Sequence, residues 1–149
     1  MQVRRLVSSD GPPTSSSHLC EFLLIIGPDI AALAATRRSA GQVSLFRRLV
    51  DSSSAAVGPR EWIEREIALH QALAELSGNP FFQAIQGLVM TALSAALSDM
   101  PALQMEMLSQ DLIGPNRLIA SAIADGDPVG ARNGALEVIR RVELALVPA

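Results

Sequence analysis

The stretch from Arg60 to Pro80 constrains the fold of this chain more than any other, because its apolar residues recur at helical spacing. Residues three and four apart share one face of an α-helix, and the apolar face here also carries Glu66 and His70. The apolar members of this face are Ile63, Ile67, Leu73 and Ala74. A carboxylate and an imidazole one turn apart can bond to each other, and burying either without a partner costs about 1–3 kcal/mol. The pattern therefore predicts a helix in which Glu66 and His70 either satisfy each other inside a bundle or form part of a metal or ligand site.

The residue content favours helices throughout the chain. Of 149 residues, 49% are hydrophobic but only 3% are aromatic and none is tyrosine, whereas a β-sandwich would be rich in valine, threonine and aromatic residues. We therefore predict an all-α fold, an antiparallel bundle of six or seven helices. The formal net charge is −3 and no run of arginines exceeds two residues, so no extensive surface for nucleic acid is expected.

A single cysteine and one long apolar run bear on where the protein resides. Cys20 has no second cysteine to pair with, so we expect a small core residue in a protein of the reducing cytoplasm. Phe81–Leu97 is free of charge and close to the length that spans a membrane, but it includes several polar residues and lacks a basic flank. We therefore predict a central, buried helix here and no association with a membrane.

Glycine and proline mark the ends of the predicted helices. Met1–Ser17 is rich in serine, proline and glycine and is predicted to be a flexible tail, which leaves residues 18–149 as one helical domain. Gly78-Asn79-Pro80 and Gly126-Asp127-Pro128 each combine a helix-ending glycine, a capping side chain and a proline suited to the first position of the next helix. Each of these two turns is expected to join a pair of packed helices.

Two further glycine–proline pairs are expected to interrupt helices, because proline removes a backbone donor. A kink or a break is predicted at Gly27-Pro28 and a break at Gly114-Pro115. In the helix that would follow the second pair, Leu118 is predicted to belong to the buried face. The predicted helices are approximately 18–38, 42–51, 59–77, 81–98, 116–125 and 128–147, with a further turn or two within 100–108.

Three segments, in this order, resemble the effector-binding and oligomerisation domain of the FadR-type branch of the GntR transcription regulators, known as the FCD domain. They are HLCEFLLIIGPDIAALAATRR, EIALHQALAELSGNP and NRLIASAIADGDPVGARNGALEVIRRV. The second is similar to the family's Asp-x-x-Phe-His followed by an Ala-Ser-Gly-Asn turn, and the third to its Ala-Ile-x-x-Gly-Asp-Pro. Together they extend from His18 to about Val142. The resemblance implies an all-helical domain that binds an effector and forms a homodimer.

In many members of that family one aspartate and three histidines hold a divalent metal among these helices. The resemblance matches Glu66 to the aspartate and His70 to the first histidine, whereas Asn116 and Val138 stand where the other two histidines would be. Glu66 and His70 form a residual site that we predict to be insufficient, so zinc or nickel would bind weakly and no metal cofactor is expected. An effector pocket is implied around Glu66, His70, Asn116 and Val138, with a small organic acid as the candidate ligand. The family's first helix carries an arginine that could reach an acidic effector, and Leu23 stands at that position in this sequence.

Three hypotheses for function follow from these residues. GntR regulators carry a winged helix-turn-helix domain ahead of the FCD domain, and this chain has only Met1–Ser17 in that place, so contact with DNA is expected only through such a domain. The leading hypothesis is a ligand-sensing and dimerising domain of a transcription regulator. An alternative is a scaffold that dimerises without sensing. A small enzyme using His70 as general base, oriented by Glu66, is the third, but the sequence lacks a nucleophile motif, and no catalytic residue is predicted.

Overall fold

A computed structural model describes residues 16–148, and this part of the chain consists of helices joined by connections of two to four residues. It contains six helices and no strand, which confirms the predicted all-α bundle. Most of the predicted tail lies outside the described residues, but Ser16 and Ser17 belong to the first helix. The helices are α1 (Ser16–Arg37), α2 (Ala40–Ser54), α3 (Pro59–Leu76), α4 (Pro80–Ser98), α5 (Ala102–Asp125) and α6 (Pro128–Leu146).

The two turns that begin with glycine and end with proline lie where the sequence predicts them. Gly78 and Gly126 have φ angles of 69° and 67°, in the left-handed region that glycine enters without strain. Asn79 and Asp127 then cap α4 and α6, each through a side-chain oxygen that accepts a hydrogen bond from a backbone N–H of the first turn. As predicted, each turn joins two helices that pack together, α3 with α4 and α5 with α6.

No helix break occurs at Gly27-Pro28 or at Gly114-Pro115, because both pairs lie inside continuous helices, α1 and α5. The break predicted at the second pair is therefore wrong. Pro115 has no N–H to donate to the carbonyl of Asp111, four residues earlier. The guanidinium of Arg141 on α6 donates to that carbonyl instead, with Nη1 2.6 Å from the oxygen. A side chain from another helix thus supplies the hydrogen bond that the proline removes.

Glycines allow α6 to approach two neighbouring helices closely. A Cβ atom on Gly27 of α1 would lie 2.5 Å from Cδ1 of Ile139, and one on Gly134 of α6 would lie 2.8 Å from Cγ1 of Ile119 on α5. Carbon atoms in contact are normally about 3.5–4.0 Å apart, so neither position can take a larger side chain without a shift. α6 is therefore held tightly against α1 and α5, while α3 packs against α1, α2 and α4.

α4 is not the central, buried helix that its apolar content predicted. Phe81 is 78% exposed, and Ile85 and Leu88 also lie at the surface. The helix packs on α3 and, less closely, on α1, so its neighbours cover only one face. The buried residues of that face are Gln86, Met90, Leu93 and Leu97. Leu118 on α5 was also predicted to be buried and is instead 62% exposed.

Two helices, α1 and α4, are long and apolar enough to cross a membrane when judged by length and composition alone. Half of the apolar window of α1 and 22% of that of α4 are buried within the bundle. Core helices of soluble proteins pass the same test, so these two helices are weak evidence for a membrane span.

Cys20 lies on α1 and is fully buried, which confirms its prediction as a small core residue. Burial, with a smaller effect of the Glu143 carboxylate, raises the pKa of its thiol to about 11. The thiol therefore remains neutral and packs as an apolar group.

Candidate functional site

Glu66 on α3 is the centre of a buried polar cluster that joins three helices. The side chain is only 2% exposed. Ser53, at the end of α2, donates its hydroxyl proton to Oε2 of Glu66 at 2.9 Å. Asn116 on α5 donates from Nδ2 to both carboxylate oxygens, at 3.0 Å to Oε1 and 3.1 Å to Oε2. Side chains from two neighbouring helices thus satisfy the carboxylate, as a buried charge requires.

His70 completes the cluster one helical turn after Glu66. Its Nε2 atom lies 3.4 Å from Oε1 of Glu66, and its side chain is 13% exposed. Burial acts to raise the pKa of the Glu66 carboxyl, but the hydrogen bond and charge of His70, together with the hydrogen bonds from Asn116 and Ser53, lower this pKa below its ordinary value. The arrangement therefore favours an ionised carboxylate inside the bundle.

Asn116 leaves one polar atom without a partner. Its Oδ1 atom is buried and accepts no hydrogen bond from the part of the chain that the structure describes. Turning the amide over would not help, because Oδ1 would then face the Glu66 carboxylate and the two N–H donors would be lost. An unsatisfied buried acceptor costs about 1–3 kcal/mol, which the two charge-assisted hydrogen bonds to Glu66 offset.

A small cavity lies beside this cluster, between α4 and the four helices α1, α3, α5 and α6. Its volume is about 30 Å³, enough for roughly two water molecules. His70 and Val138 line it, together with Gln86 from the buried face of α4. Glu66 and Asn116 contact each other and are not among the lining residues. The structure therefore brings Glu66, His70 and Asn116 into one polar cluster and places Val138 with His70 on the wall of the cavity.

Ser53 and Gln86 belong to this region although the sequence reasoning did not select them. Gln86 carried a usable signal, because it occupies the buried face of α4 four residues before Met90 and seven before Leu93, just as Glu66 occupies the buried face of α3. Ser53 carried no such signal. It was predicted to lie in a loop, and only the longer α2 brings its hydroxyl to the carboxylate.

The residues at the position of the family's metal site do not fit a divalent metal. Asn116 turns its NH₂ group, which has no lone pair to give, towards Glu66, and Val138 has only hydrocarbon. Within residues 16–148 no group of three or more histidine, cysteine, aspartate or glutamate side chains is placed to hold a metal ion. Zinc and nickel require about four nitrogen, sulfur or oxygen donors, and the cluster does not offer that donor set.

The cluster is also not arranged to activate a nucleophile. A serine hydrolase needs its hydroxyl bonded to the histidine, with the carboxylate behind that histidine. Here the Ser53 hydroxyl donates directly to Glu66, and Ser53 is only 5% exposed. Ser53, Asn116 and His70 stabilise the charge of Glu66 and do not form a proton relay to an accessible group.

The structure is therefore an all-helical bundle with a buried polar cluster and a small cavity between its helices. These features place it in the class of helical domains that have a candidate binding site inside the bundle. Comparison with protein families identifies the class more closely: the model of the FCD domain matches residues 18–141, and the chain belongs to the FCD domain family. Among solved structures, a Streptococcus agalactiae GntR has a similar fold, with a TM-score of 0.75 and 26% sequence identity over 86% of this chain. The match covers 57% of that protein. No curated protein gave a match to this sequence.

Proposed function

We propose that this chain is the effector-binding and dimerising domain of a GntR-type transcription regulator of the FadR branch. The observation that carries the proposal is the FCD match over residues 18–141, supported by the likeness to a GntR protein. Contact with an operator would require a winged-helix domain joined to this one. Regulators of this kind act in the cytoplasm, and nothing in the proposal needs a membrane or an enzymatic step.

The sensing part of the proposal rests on the region around Glu66 and His70. The cluster joins α2, α3 and α5 at one carboxylate beside the cavity. His70 belongs to both the cluster and the cavity wall, so it connects a bound molecule to the carboxylate. We place the effector pocket at the cavity wall formed by His70 and Val138, with Glu66 and Asn116 behind that wall. In this proposal the polar cluster takes the part that a metal takes in other members of the family.

The dimerising part rests on α4. Phe81, Ile85 and Leu88 follow each other at spacings of four and three, so they form one stripe on the exposed face of this helix. Contiguous exposed apolar patches commonly mark interfaces, and a two-fold dimer would bring two copies of the stripe together. Light scattering at micromolar concentration should give the mass of a homodimer. Ile85→Asp should shift the mass towards a monomer, whereas Gln83→Glu on the same helix should not; a strictly monomeric parent protein would contradict this assignment.

One observation favours a second function, a scaffold that dimerises without sensing, because a cavity of about 30 Å³ is too small for an organic acid unless the bundle opens. A thermal unfolding screen separates the two functions. A ligand that binds only the folded state raises the midpoint, so a sensor should respond to at least one small molecule in a saturable way, whereas a scaffold should respond to none.

A further inference from the structure

We infer that the cavity under α4 takes a small uncharged molecule, mainly apolar and carrying one hydrogen-bonding group, and not an organic acid. The inference rests on the proposed sensing function and assigns it a class of ligand. Three observations support it: the chemistry of the cavity wall, the amide side chain of Gln86 on that wall, and the few contacts that α4 makes with the other helices.

The wall of the cavity contains no side chain that could neutralise an anion other than His70. Eleven of its thirteen residues are aliphatic, methionine or glycine, and none is arginine, lysine, aspartate or glutamate. His70 already faces the Glu66 carboxylate through Nε2, so the charge of a ligand carboxylate would be buried next to a second carboxylate without a cation of its own. Burying an unpaired ion costs several kcal/mol, whereas burying hydrocarbon is favourable. The wall therefore selects for molecules without charge.

Gln86 supplies the hydrogen-bonding group that the ligand would meet. The side chain is only 5% exposed and lines the cavity, yet it forms no hydrogen bond with another residue of the described range 16–148. An amide carries both donors and an acceptor, so a hydroxyl, a carbonyl or an amide on the ligand could each satisfy it. A ligand group that pairs with this amide gains a hydrogen bond that a pure hydrocarbon cannot form.

α4 is the wall that can give way. α1, α5 and α6 are held together by the close approaches at Gly27 and Gly134, so these three walls are fixed. α4 packs mainly on α3 and, less closely, on α1, and it contributes Gln86, Met90 and Leu93 to the cavity. An outward shift of this one helix enlarges the space beyond its 30 Å³ without disturbing the Glu66 cluster, to which α4 contributes no hydrogen bond.

The test is a titration with matched neutral and anionic molecules near neutral pH, where carboxylic acids are ionised. The pairs are benzyl alcohol with benzoate and pentan-1-ol with pentanoate. Binding is followed by NMR of isotope-labelled methyl groups, in which saturable shifts of Leu73, Leu93 and Ile139 report the cavity directly. We expect the alcohol of each pair to give saturable shifts at these methyl groups and the acid to give none.

Three variants sharpen the test. Gln86→Leu should weaken alcohol binding by roughly tenfold, the equivalent of one buried hydrogen bond, while Gln83→Leu, an exposed glutamine of the same helix, should leave it unchanged. Leu93→Ala enlarges the cavity and should strengthen binding. Saturable binding of the acids but not the alcohols would overturn the ligand class and leave the sensing function standing. Binding of neither, in the parent protein and in Leu93→Ala alike, would overturn both and leave the scaffold.

Discussion

Replacing Asn116 with leucine removes both N–H donors that reach Glu66 and keeps a side chain of similar volume. The carboxylate, 2% exposed, would retain only Ser53 and His70 as partners. Removing one partner of a buried ion costs about 3–5 kcal/mol, and the simultaneous loss of the unsatisfied Oδ1 atom returns about 1–3 kcal/mol. The middles of these two ranges differ by about 2 kcal/mol, so we expect Asn116→Leu to lower the free energy of unfolding by about 2 kcal/mol.

A double-mutant cycle shows whether this loss comes from the contact with Glu66. Glu66→Leu alone leaves the Asn116 amide buried without an acceptor, whereas Glu66→Leu with Asn116→Leu removes both polar partners and leaves an apolar contact. The double variant should therefore be less destabilised than the sum of the two single variants, by about 1–3 kcal/mol. Urea unfolding gives the change in the free energy of unfolding for each of the three variants. The protein concentration is kept the same throughout, because the stability of a dimer depends on concentration.

The control variant is Asn133→Leu, at an exposed position of α6, which should change stability by no more than about 0.5 kcal/mol. If the two cluster substitutions were additive to within about 0.5 kcal/mol, the amide of Asn116 would not be stabilising the Glu66 carboxylate. The account of the cluster as a set of hydrogen bonds that stabilises a buried carboxylate would then be refuted.

Three further predictions concern pH, metal and helix packing. The folded-state pKa of Glu66 lies below its ordinary value of 4.5, so at acid pH the unfolded chain binds more protons at this residue than the folded chain does. The stabilisation from the ionised Glu66 is therefore complete above pH 4.5 and is lost as the pH falls through the lower folded-state pKa. Glu66→Gln should flatten the dependence of the urea midpoint on pH in this acid range, and an unchanged curve would contradict it. Elemental analysis of protein purified without chelator or metal-affinity tag should find no stoichiometric metal, whereas Asn116→His with Val138→His should gain zinc; one tightly held equivalent in the parent protein would refute this. Gly134→Ala should cost about 1–3 kcal/mol because its methyl group would press on α5, while Gly87→Ala, whose methyl group meets nothing within 4 Å, should be neutral or stabilising by up to about 1 kcal/mol, and equal effects on urea unfolding would argue against close packing at Gly134.

Local signals in the sequence were sufficient for most of the fold. The helical period of α3 and the turns at Gly78 and Gly126 act through backbone preferences of a few neighbouring residues, and these were predicted correctly. The break at Pro115 was predicted wrongly because the compensating donor, Arg141, lies 26 residues further along the chain. α4 was misplaced for a related reason: apolar content shows that a helix can be buried, but only the positions of its neighbours decide which face is covered.

In the candidate site too, residues with a local signal could be predicted and residues brought in by long-range packing could not. The pair Glu66 and His70 could be found from spacing alone, because two polar groups on an apolar helical face need partners. Asn116 lies 50 residues from Glu66, and only the resemblance to the FCD family pointed to it. The orientation of its amide, which places N–H groups where a metal would need lone pairs, is a property of the packed bundle and has no counterpart in the sequence pattern.

The hydrogen bond from Arg141 to the carbonyl of Asp111 makes the stiffness of α5 depend on α6. A proline divides the hydrogen-bond ladder of a helix into two segments that can bend relative to each other. Here a side chain from α6 holds the carbonyl at that division, and so ties the first segment of α5 to α6. Pulling α6 away from α5 would free that carbonyl and turn Pro115 into a hinge. Asn116 is the next residue, so a bend at Pro115 would also displace the amide that donates to the buried carboxylate.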